Sequence, residues 1–301
     1  MYYRRKILLA LLQVFGGKLP KIDFQKYLFL FNINKTQPYF EFIPYKFGCF
    51  SFQANQDLST LTKYNLVEES EKSWQLIRID RHAKRKINYL SQLKTPDKIL
   101  ITEFYQQFKT LKGNELIKYV YEKYPYFATN SSIAKKVLDI KKYEAVVKSK
   151  PVKNDYALFT IGYEGKTVEK FTNELINEDV RVLCDIRKNA FSMKYGFSKK
   201  QLKYIVENTG IKYFHFPELG IESSRRKNLN SKKDYNTLFK EYEQNTLKNG
   251  NSELKELSKI LIENKRIALM CFESNYQHCH RNFTAKGLSA ILKNKYIVKH
   301  L

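Results

Sequence analysis

The chain has 301 residues, 43% of them hydrophobic and 15% aromatic, with a formal net charge of +24 at pH 7. That apolar share excludes an intrinsically disordered protein, and the length fits two ordinary domains better than one. Cys49, Cys184, Cys271 and Cys279 follow no repeated spacing, which excludes a disulfide framework and fits a reducing cytoplasm.

Residues 1–150 carry 27 Lys+Arg against 13 Asp+Glu, and residues 151–301 carry 27 against 17, so both halves are basic. A field of that sign favours nucleic acid or a nucleotide as partner, with a protein partner left open. A genome rich in Lys and Asn codons gives the same charge without function. The first residues, Met1 to Leu12, start charged and turn apolar. The apolar run is too short to span a bilayer, so an amphipathic first helix and no membrane association are expected.

In chain order, Ile7, Leu8, Leu11, Leu12 and Phe15 recur at helical spacing before Gly16-Gly17. Phe24, Tyr27, Leu28 and Phe31 form one face of a second helix. Tyr39-Phe40-Glu41-Phe42-Ile43, between Pro38 and Pro44, alternates as a strand should. Residues 55–65 read as a helix, and 66–68 with 73–77 as a hairpin. Helix, helix, strand, helix, hairpin is the order of a winged helix.

The stretches Ile22 to Leu30 and Phe42 to Phe50 resemble the antitoxin-like SocA or Panacea domains. The shared features are a helix around a Lys-x-x-Tyr/Leu core and an extended segment ending in an aromatic-Gly turn. The resemblance implies contacts with protein or nucleic acid and no catalysis. Residues 78–150 read as helical throughout. Arg78, Arg81, Lys84, Arg85 and Lys86 form one basic cluster, and Lys135, Lys136, Lys141, Lys142, Lys148 and Lys150 another. With Tyr89, Tyr105 and Tyr143 they are candidates to grip phosphates and stack on bases; for any single lysine, a solvated helix face is the plainer reading. The polar, proline-bearing segment Lys148 to Asp155 marks a boundary between a helical, winged-helix-like domain (1–150) and a second domain (155–301).

From Tyr156 the pattern becomes βα alternation. Strands are expected at 157–161, 180–187, 211–216, 267–272 and 296–300. Helices are expected at 167–177, 198–208, 232–248, 252–264 and from Arg281. Ser198-Lys-Lys-Gln201 has the form of a capping box. This alternation predicts an α/β, Rossmann-like, doubly wound and mostly parallel sheet, whose ligands bind beyond the C-terminal strand ends. Gly162-Tyr163-Glu164-Gly165, Asp185 with Arg187, His215 with Glu218, and Cys271 with Glu273 all fall there. Gly162-x-x-Gly165 is too short for a dinucleotide fingerprint.

Residues 157–300 resemble domain-of-unknown-function family 488. The resemblance rests on Thr160-Ile161-Gly162-Tyr163, Asp185-Ile186-Arg187, Leu219-Gly220, and Cys271-Phe272-Glu273 with Cys279-His280-Arg281. Tyr163-Glu164 stands where the family more commonly has His-Ser. The resemblance implies the fold and candidate residues and leaves the reaction open.

Two chemistries suit the cluster, and a third, metal binding, does not. Arg281 near a helix start, facing Arg187, would clamp a phosphate or carboxylate, with Asp185 and Tyr163 as supports. Cys279, beside that helix start, would be a nucleophile with His280 or Glu273 moving protons, and Cys271 is a further candidate catalytic residue. Cys-x7-Cys-His is not a regular zinc spacing, and no metal is expected. The basic segment 221–233 would lie over the same mouth. The expectation is a basic protein associated with nucleic acid or nucleotides, with an anion-binding site that catalyses; the alternative is a non-catalytic nucleic-acid or partner-binding module.

Overall fold

The computed structural model describes residues 1–33, 35–77, 79–80, 85–226, 229, 231–293 and 295–301, with residues 79, 80, 85, 86 and 232 described by backbone alone. The chain divides into two compact units, Met1–Lys150 and Pro151–Leu301.

The first unit opens with α1 (Tyr3–Val14), β1 (Lys18–Pro20) and α2 (Lys21–Ile33). Ile7, Leu8, Leu11 and Leu12 of α1 are fully buried. A hairpin of β2 (Ile43–Tyr45) and β3 (Gly48–Phe50) leads to α3 (Phe52–Lys63), whose first turn is capped by Ser51 Oγ accepting from the Ala54 N–H. The hairpin expected next is β4 (Val67–Glu69) with β5 (Ser73–Leu76), and β5 also pairs with β1 in a three-stranded antiparallel sheet ordered β1-β5-β4. β1 was not expected from the sequence, because Pro20 removes one ladder donor; as an edge strand it tolerates that loss.

The strand expected at 39–43 lies instead at Ile43–Tyr45. The backbone just before it is engaged elsewhere: Asn32 Oδ1 accepts from the N–H of Tyr39 (2.7 Å) and Phe40 (3.1 Å), and Asn32 Nδ2 donates to the Phe40 carbonyl (2.5 Å). A side-chain amide has replaced the ladder partner.

Beyond β5 the chain is helical except for a short hairpin, β6 (Ile79–Asp80) with β7 (Arg85–Lys86). The helices are α4 (Thr95–Phe108), α5 (Gly113–Lys123), α6 (Ala134–Val137) and α7 (Ile140–Ser149). In the first basic cluster, Arg78, Arg81 and Lys84 lie outside the described residues, and Arg85 and Lys86 are described by backbone only. The lysines of the second cluster, from Lys135 to Lys150, are exposed. Their expected aromatic companions are not: Tyr89 is a core residue, Tyr105 meets Phe15 edge-on at 5.2 Å, and Tyr143 packs on the core. Burial removes Tyr89 from base stacking, while Tyr105 and Tyr143 are half-buried. The stretches Ile22–Leu30 and Phe42–Phe50 touch through the buried Lys26, whose ammonium donates to the carbonyls of Phe47 (2.5 Å) and Cys49 (3.4 Å).

The second unit runs β8 (Ala157–Gly162), α8 (Val168–Asn177), β9 (Val182–Asp185), α9 (Lys199–Glu207), β10 (Lys212–His215), α10 (Lys232–Glu241), α11 (Asn251–Asn264), β11 (Arg266–Cys271), α12 (His280–Ile291) and β12 (Ile297–His300). A π-helical turn, Tyr242–Leu247, follows α10. All five strands are parallel, in the order β10-β9-β11-β8-β12. Leu158, Val182, Cys184, Ile267 and Leu269 form one face of the sheet and pack with Leu254, Leu257 and Leu261 of α11 and Leu288 of α12. The intervening residues point to the opposite face, as the period of two requires.

Two local expectations fail here. Ser198 makes no capping hydrogen bond; its hydroxyl donates to the Ser192 carbonyl (2.9 Å), while Gln201 Oε1 accepts from the Gly196 N–H (3.2 Å). Both side chains hold the preceding loop, and the capping box is found at Ser231 with Asp234 instead. The second strand ends at Asp185 and not at Arg187.

Candidate functional site

Strand register sets the site. Cys271 lies level with Gly162, Met270 with Asp185, and Asp185 with His215, so the polar strand ends expected from the sequence share the C-terminal edge of one sheet. From Cys271 the chain passes over β8. A Cβ on Gly162 would stand 1.8 Å from the Glu273 carbonyl oxygen, so only glycine admits this crossing. Gly220 has a parallel role, since a Cβ there would stand 2.0 Å from the Lys188 nitrogen. The Phe272 carbonyl accepts from the N–H groups of Tyr163 (3.1 Å) and Glu164 (2.9 Å), and Glu164 Oε2 accepts from the backbone N–H of Ser274 (2.9 Å).

Cys271, Glu273, Cys279 and His280 converge as the sequence suggests. Cys271 Sγ is 3.2 Å from Glu273 Oε2 and 3.7 Å from His280 Nδ1, and Cys279 Sγ is 3.9 Å from the same nitrogen. Both thiols are about 1% exposed. His280 Nε2–H donates to the Ile186 carbonyl (3.0 Å), which turns Nδ1 toward the sulfurs. The fifth member is Arg226. Its Nη2 lies 2.7 Å from His280 Nδ1 and 3.9 Å from Cys271 Sγ, and its Nη1 is paired with Glu273. A guanidinium only donates, so Nδ1 is the acceptor. The Arg226 and Glu273 side chains are 26% and 23% exposed, and this pair is the outer layer of the cluster. Sequence reasoning had Arg226 as one of several cations in a basic loop; no local signal separates it from Arg225, which pairs with Glu241 at the surface.

The electrostatics are uneven. Burial opposes ionisation of Cys271. A hydrogen bond from the Cys279 thiol and the Arg226 guanidinium outweigh it and hold the Cys271 thiol well below its usual range. Burial, then the neighbouring Cys271 sulfur, push Cys279 well above that range. Burial followed by Cys271 also raises the Glu273 carboxyl. The proton affinities of Cys271 and Glu273 therefore approach each other across 3.2 Å. Cys279, expected as the nucleophile, is the more protonated thiol; helix α12 begins beside it, but the Arg226 charge falls nearer Cys271.

Asp185, Arg187, Tyr163 and Arg281 are placed at the same edge but point to protein partners. Arg187 Nε and Nη2 donate to the two Asp185 oxygens (2.8 and 2.6 Å), Nη1 donates to Tyr163 Oη (3.1 Å), and Tyr213 Oη donates to Asp185 (2.7 Å). Asp185 is fully buried and Arg187 is 5% exposed. Arg281 is fully buried; it donates to the carbonyls of Glu273 and Ser274 (2.9 Å to the latter) and to Thr160 Oγ1 (3.4 Å). Arg187 and Arg281 share no hydrogen-bond partner. The expected two-arginine clamp is thus replaced by a buried Asp–Arg–Tyr network and an arginine that fastens the crossing loop. Desolvated guanidiniums satisfy their donors internally because leaving them open costs more.

Among the described residues, Cys271, Cys279 and His280 are the group whose sulfur and nitrogen atoms lie within 4.8 Å of one another, a donor set of the kind that takes soft divalent ions. In this arrangement the cation facing those donors is Arg226, hydrogen-bonded to the nitrogen lone pair such an ion would need.

The fold and site together define a parallel α/β domain with a buried dithiol cluster at its C-terminal sheet edge. Residues 167–288 match the family described as Domain of unknown function DUF488, and the second unit of this chain belongs to it. The match takes in Asp185-Ile186-Arg187, Leu219-Gly220 and both halves of the Cys-x-Glu and Cys-His-Arg signature; Thr160 to Tyr163 precede it. No curated protein and no solved structure matches the chain.

Proposed function

We propose that the α/β unit is a catalytic domain in which Cys271 is the nucleophile toward an anionic substrate received by Arg226, and that the protein associates with nucleic acid or a nucleotide. The observation that carries this reading is the set of neighbours around Cys271 Sγ: a carboxyl at 3.2 Å, an imidazole nitrogen at 3.7 Å and a guanidinium at 3.9 Å. A nucleophile, a proton acceptor and a cation within reach of one sulfur are the parts that covalent catalysis uses. An incoming anion would draw Arg226 from Glu273, opening the sulfur and leaving the carboxylate free to take protons. A reducing compartment suits four free cysteines.

Alkylation tests the chemistry. Cys271 should react first, as mapped by peptide mass spectrometry. Because its thiol titrates low, the rate should reach its plateau at a lower pH than a free thiol does and drop only as the folded value is crossed. Anionic iodoacetate should gain on neutral iodoacetamide through Arg226, and Arg226→Ala should reduce that ratio about tenfold, the weight of one charge-assisted hydrogen bond. A rate that rises only near pH 8.5, as for a free thiol, would remove Cys271 from this role.

The nucleic-acid part is supported by the net charge of +24 and the exposed lysines between Lys135 and Lys150. Anisotropy of a labelled oligonucleotide should show binding that weakens about a thousandfold or more from 50 to 200 mM salt when six or more phosphates are engaged. Absence of binding at low salt overturns it. Binding that persists with Cys271 inert would favour the non-catalytic module.

A further inference from the structure

We infer that Cys271 and Cys279 form a thiol–disulfide exchange pair, with Cys279 as resolving thiol, Glu273 as its base, and a carboxylate-bearing disulfide as the substrate class. This deepens the reading of Cys271 as nucleophile and rests on it. Three geometric facts lead there. The two sulfurs lie within 4.8 Å of each other, although seven residues separate them in sequence. His280 Nδ1 sits 3.7 Å from one and 3.9 Å from the other, so the pair shares one polar chamber and neither thiol is a lone packing residue. Glu273, on the connecting loop, reaches Cys271 at 3.2 Å, and its charge also acts on Cys279. A second thiol beside a nucleophilic one captures the first adduct before a solvent thiol does, because the reaction is then intramolecular.

The chemistry balances. The Cys271 thiolate attacks one sulfur of the substrate disulfide, forming a mixed disulfide and expelling one substrate thiolate. Glu273 removes the Cys279 proton. The Cys279 thiolate attacks Cys271 Sγ, closes the protein disulfide and expels the second substrate thiolate, which takes the proton back from Glu273. Two protein sulfurs are oxidised and one substrate disulfide is reduced to a thiol and a thiolate, the latter taking its proton from solvent. The sulfurs must close to about 2.05 Å, which residues 272–278 between them absorb. The opposing shifts, Cys271 down and Cys279 up, suit an attacker and a resolver that needs a base. Arg226 selects among disulfides, since its guanidinium is the only cation among the described residues hydrogen-bonded to Cys271.

The experiment treats the reduced full-length chain with oxidised glutathione in chelator, then quenches with a maleimide and maps peptides. The wild type should yield a Cys271–Cys279 disulfide, two released glutathione molecules and no lasting adduct. Cys279→Ser should keep a glutathione adduct on Cys271. Glu273→Gln should slow conversion of that adduct at least about tenfold, at the low end of general-base effects. Cystamine, a cationic disulfide, should react more slowly than oxidised glutathione in the wild type and lose that handicap in Arg226→Ala. A wild type that retains the adduct as Cys279→Ser does overturns the exchange pair and leaves the nucleophile intact. A folded Cys279→Ser that forms no adduct overturns the nucleophile as well. One equivalent of zinc that survives the chelator and blocks both thiols overturns the pair in favour of a metal centre. If the serine variants fail to fold, the wild-type disulfide and glutathione yield decide alone.

Discussion

Asp185→Ala should destabilise the α/β unit by about 3–5 kcal/mol, the range for removing one partner of a buried ion pair. Asp185 has no exposed surface and accepts from Arg187 through both oxygens, from the Arg187 backbone, and from Tyr213 Oη. Its loss leaves a guanidinium charge 5% exposed and a buried phenol without its acceptor. Thermal melting followed by circular dichroism is the measurement, at about 2–4 °C per kcal/mol for a chain of this size class. Glu218→Ala is the contrast. Its pairing with Lys188 at 3.1 Å is exposed, 63% on the carboxylate side, and its removal should cost about 0–1 kcal/mol. Equal shifts from the two variants would mean that the Asp185 network contributes no more than a surface ion pair.

Gly162→Ala should be the second most damaging change. The added Cβ meets the Glu273 carbonyl oxygen at 1.8 Å and carbon at 2.7 Å, with Arg281 Nη1 at 3.0 Å. Backbone atoms cannot rotate away as a flexible side chain would, so either β8 or the crossing loop must move. We expect about 3 kcal/mol of destabilisation, the upper range of overpacking. Any variant that folds should also change the alkylation rate of Cys271, because moving Glu273 moves the Arg226 guanidinium paired with it away from the sulfur. Retained stability together with retained Cys271 reactivity would show that the loop has room that its contacts with Tyr163 and Glu164 do not suggest.

Both results bear on how the site is held. Cys271 ends β11, Cys279 directly precedes α12, and Glu273 lies on the loop between them, which is fastened from several sides. Arg281 holds the carbonyls of Glu273 and Ser274, Glu164 holds the Ser274 N–H, and Tyr163 and Glu164 hold the Phe272 carbonyl. Arg281 fastens the loop, Arg187 is held by Asp185 and Tyr163, and Arg226 is the arginine that meets Cys271, Glu273 and His280.

Much of the architecture was legible before folding. Nearly continuous apolar runs at 157–161 and 267–272 and the alternation with helices point to a parallel sheet, because only buried strands tolerate such stretches. That rule put Cys271, Asp185 and Gly162 at one edge, where β11 pairs with both β8 and β9. Local polar patterns were less reliable. Ser198 and Gln201 have capping-box spacing yet hold loop 192–196, since side-chain hydrogen bonds go wherever the nearest unpaired backbone group lies.

Residue type and strand ends were enough to name Cys271, Glu273, Cys279 and His280 as one cluster. They could not say which thiol carries the charge, because that depends on the distance from a cation 45 residues upstream of Cys271. Nor could they show that Arg187 and Arg281 are consumed by Asp185, Tyr163 and loop carbonyls. Sequence periodicity follows from the backbone geometry each residue repeats, so it is written locally. Charge state and accessibility come from neighbours that only packing brings together.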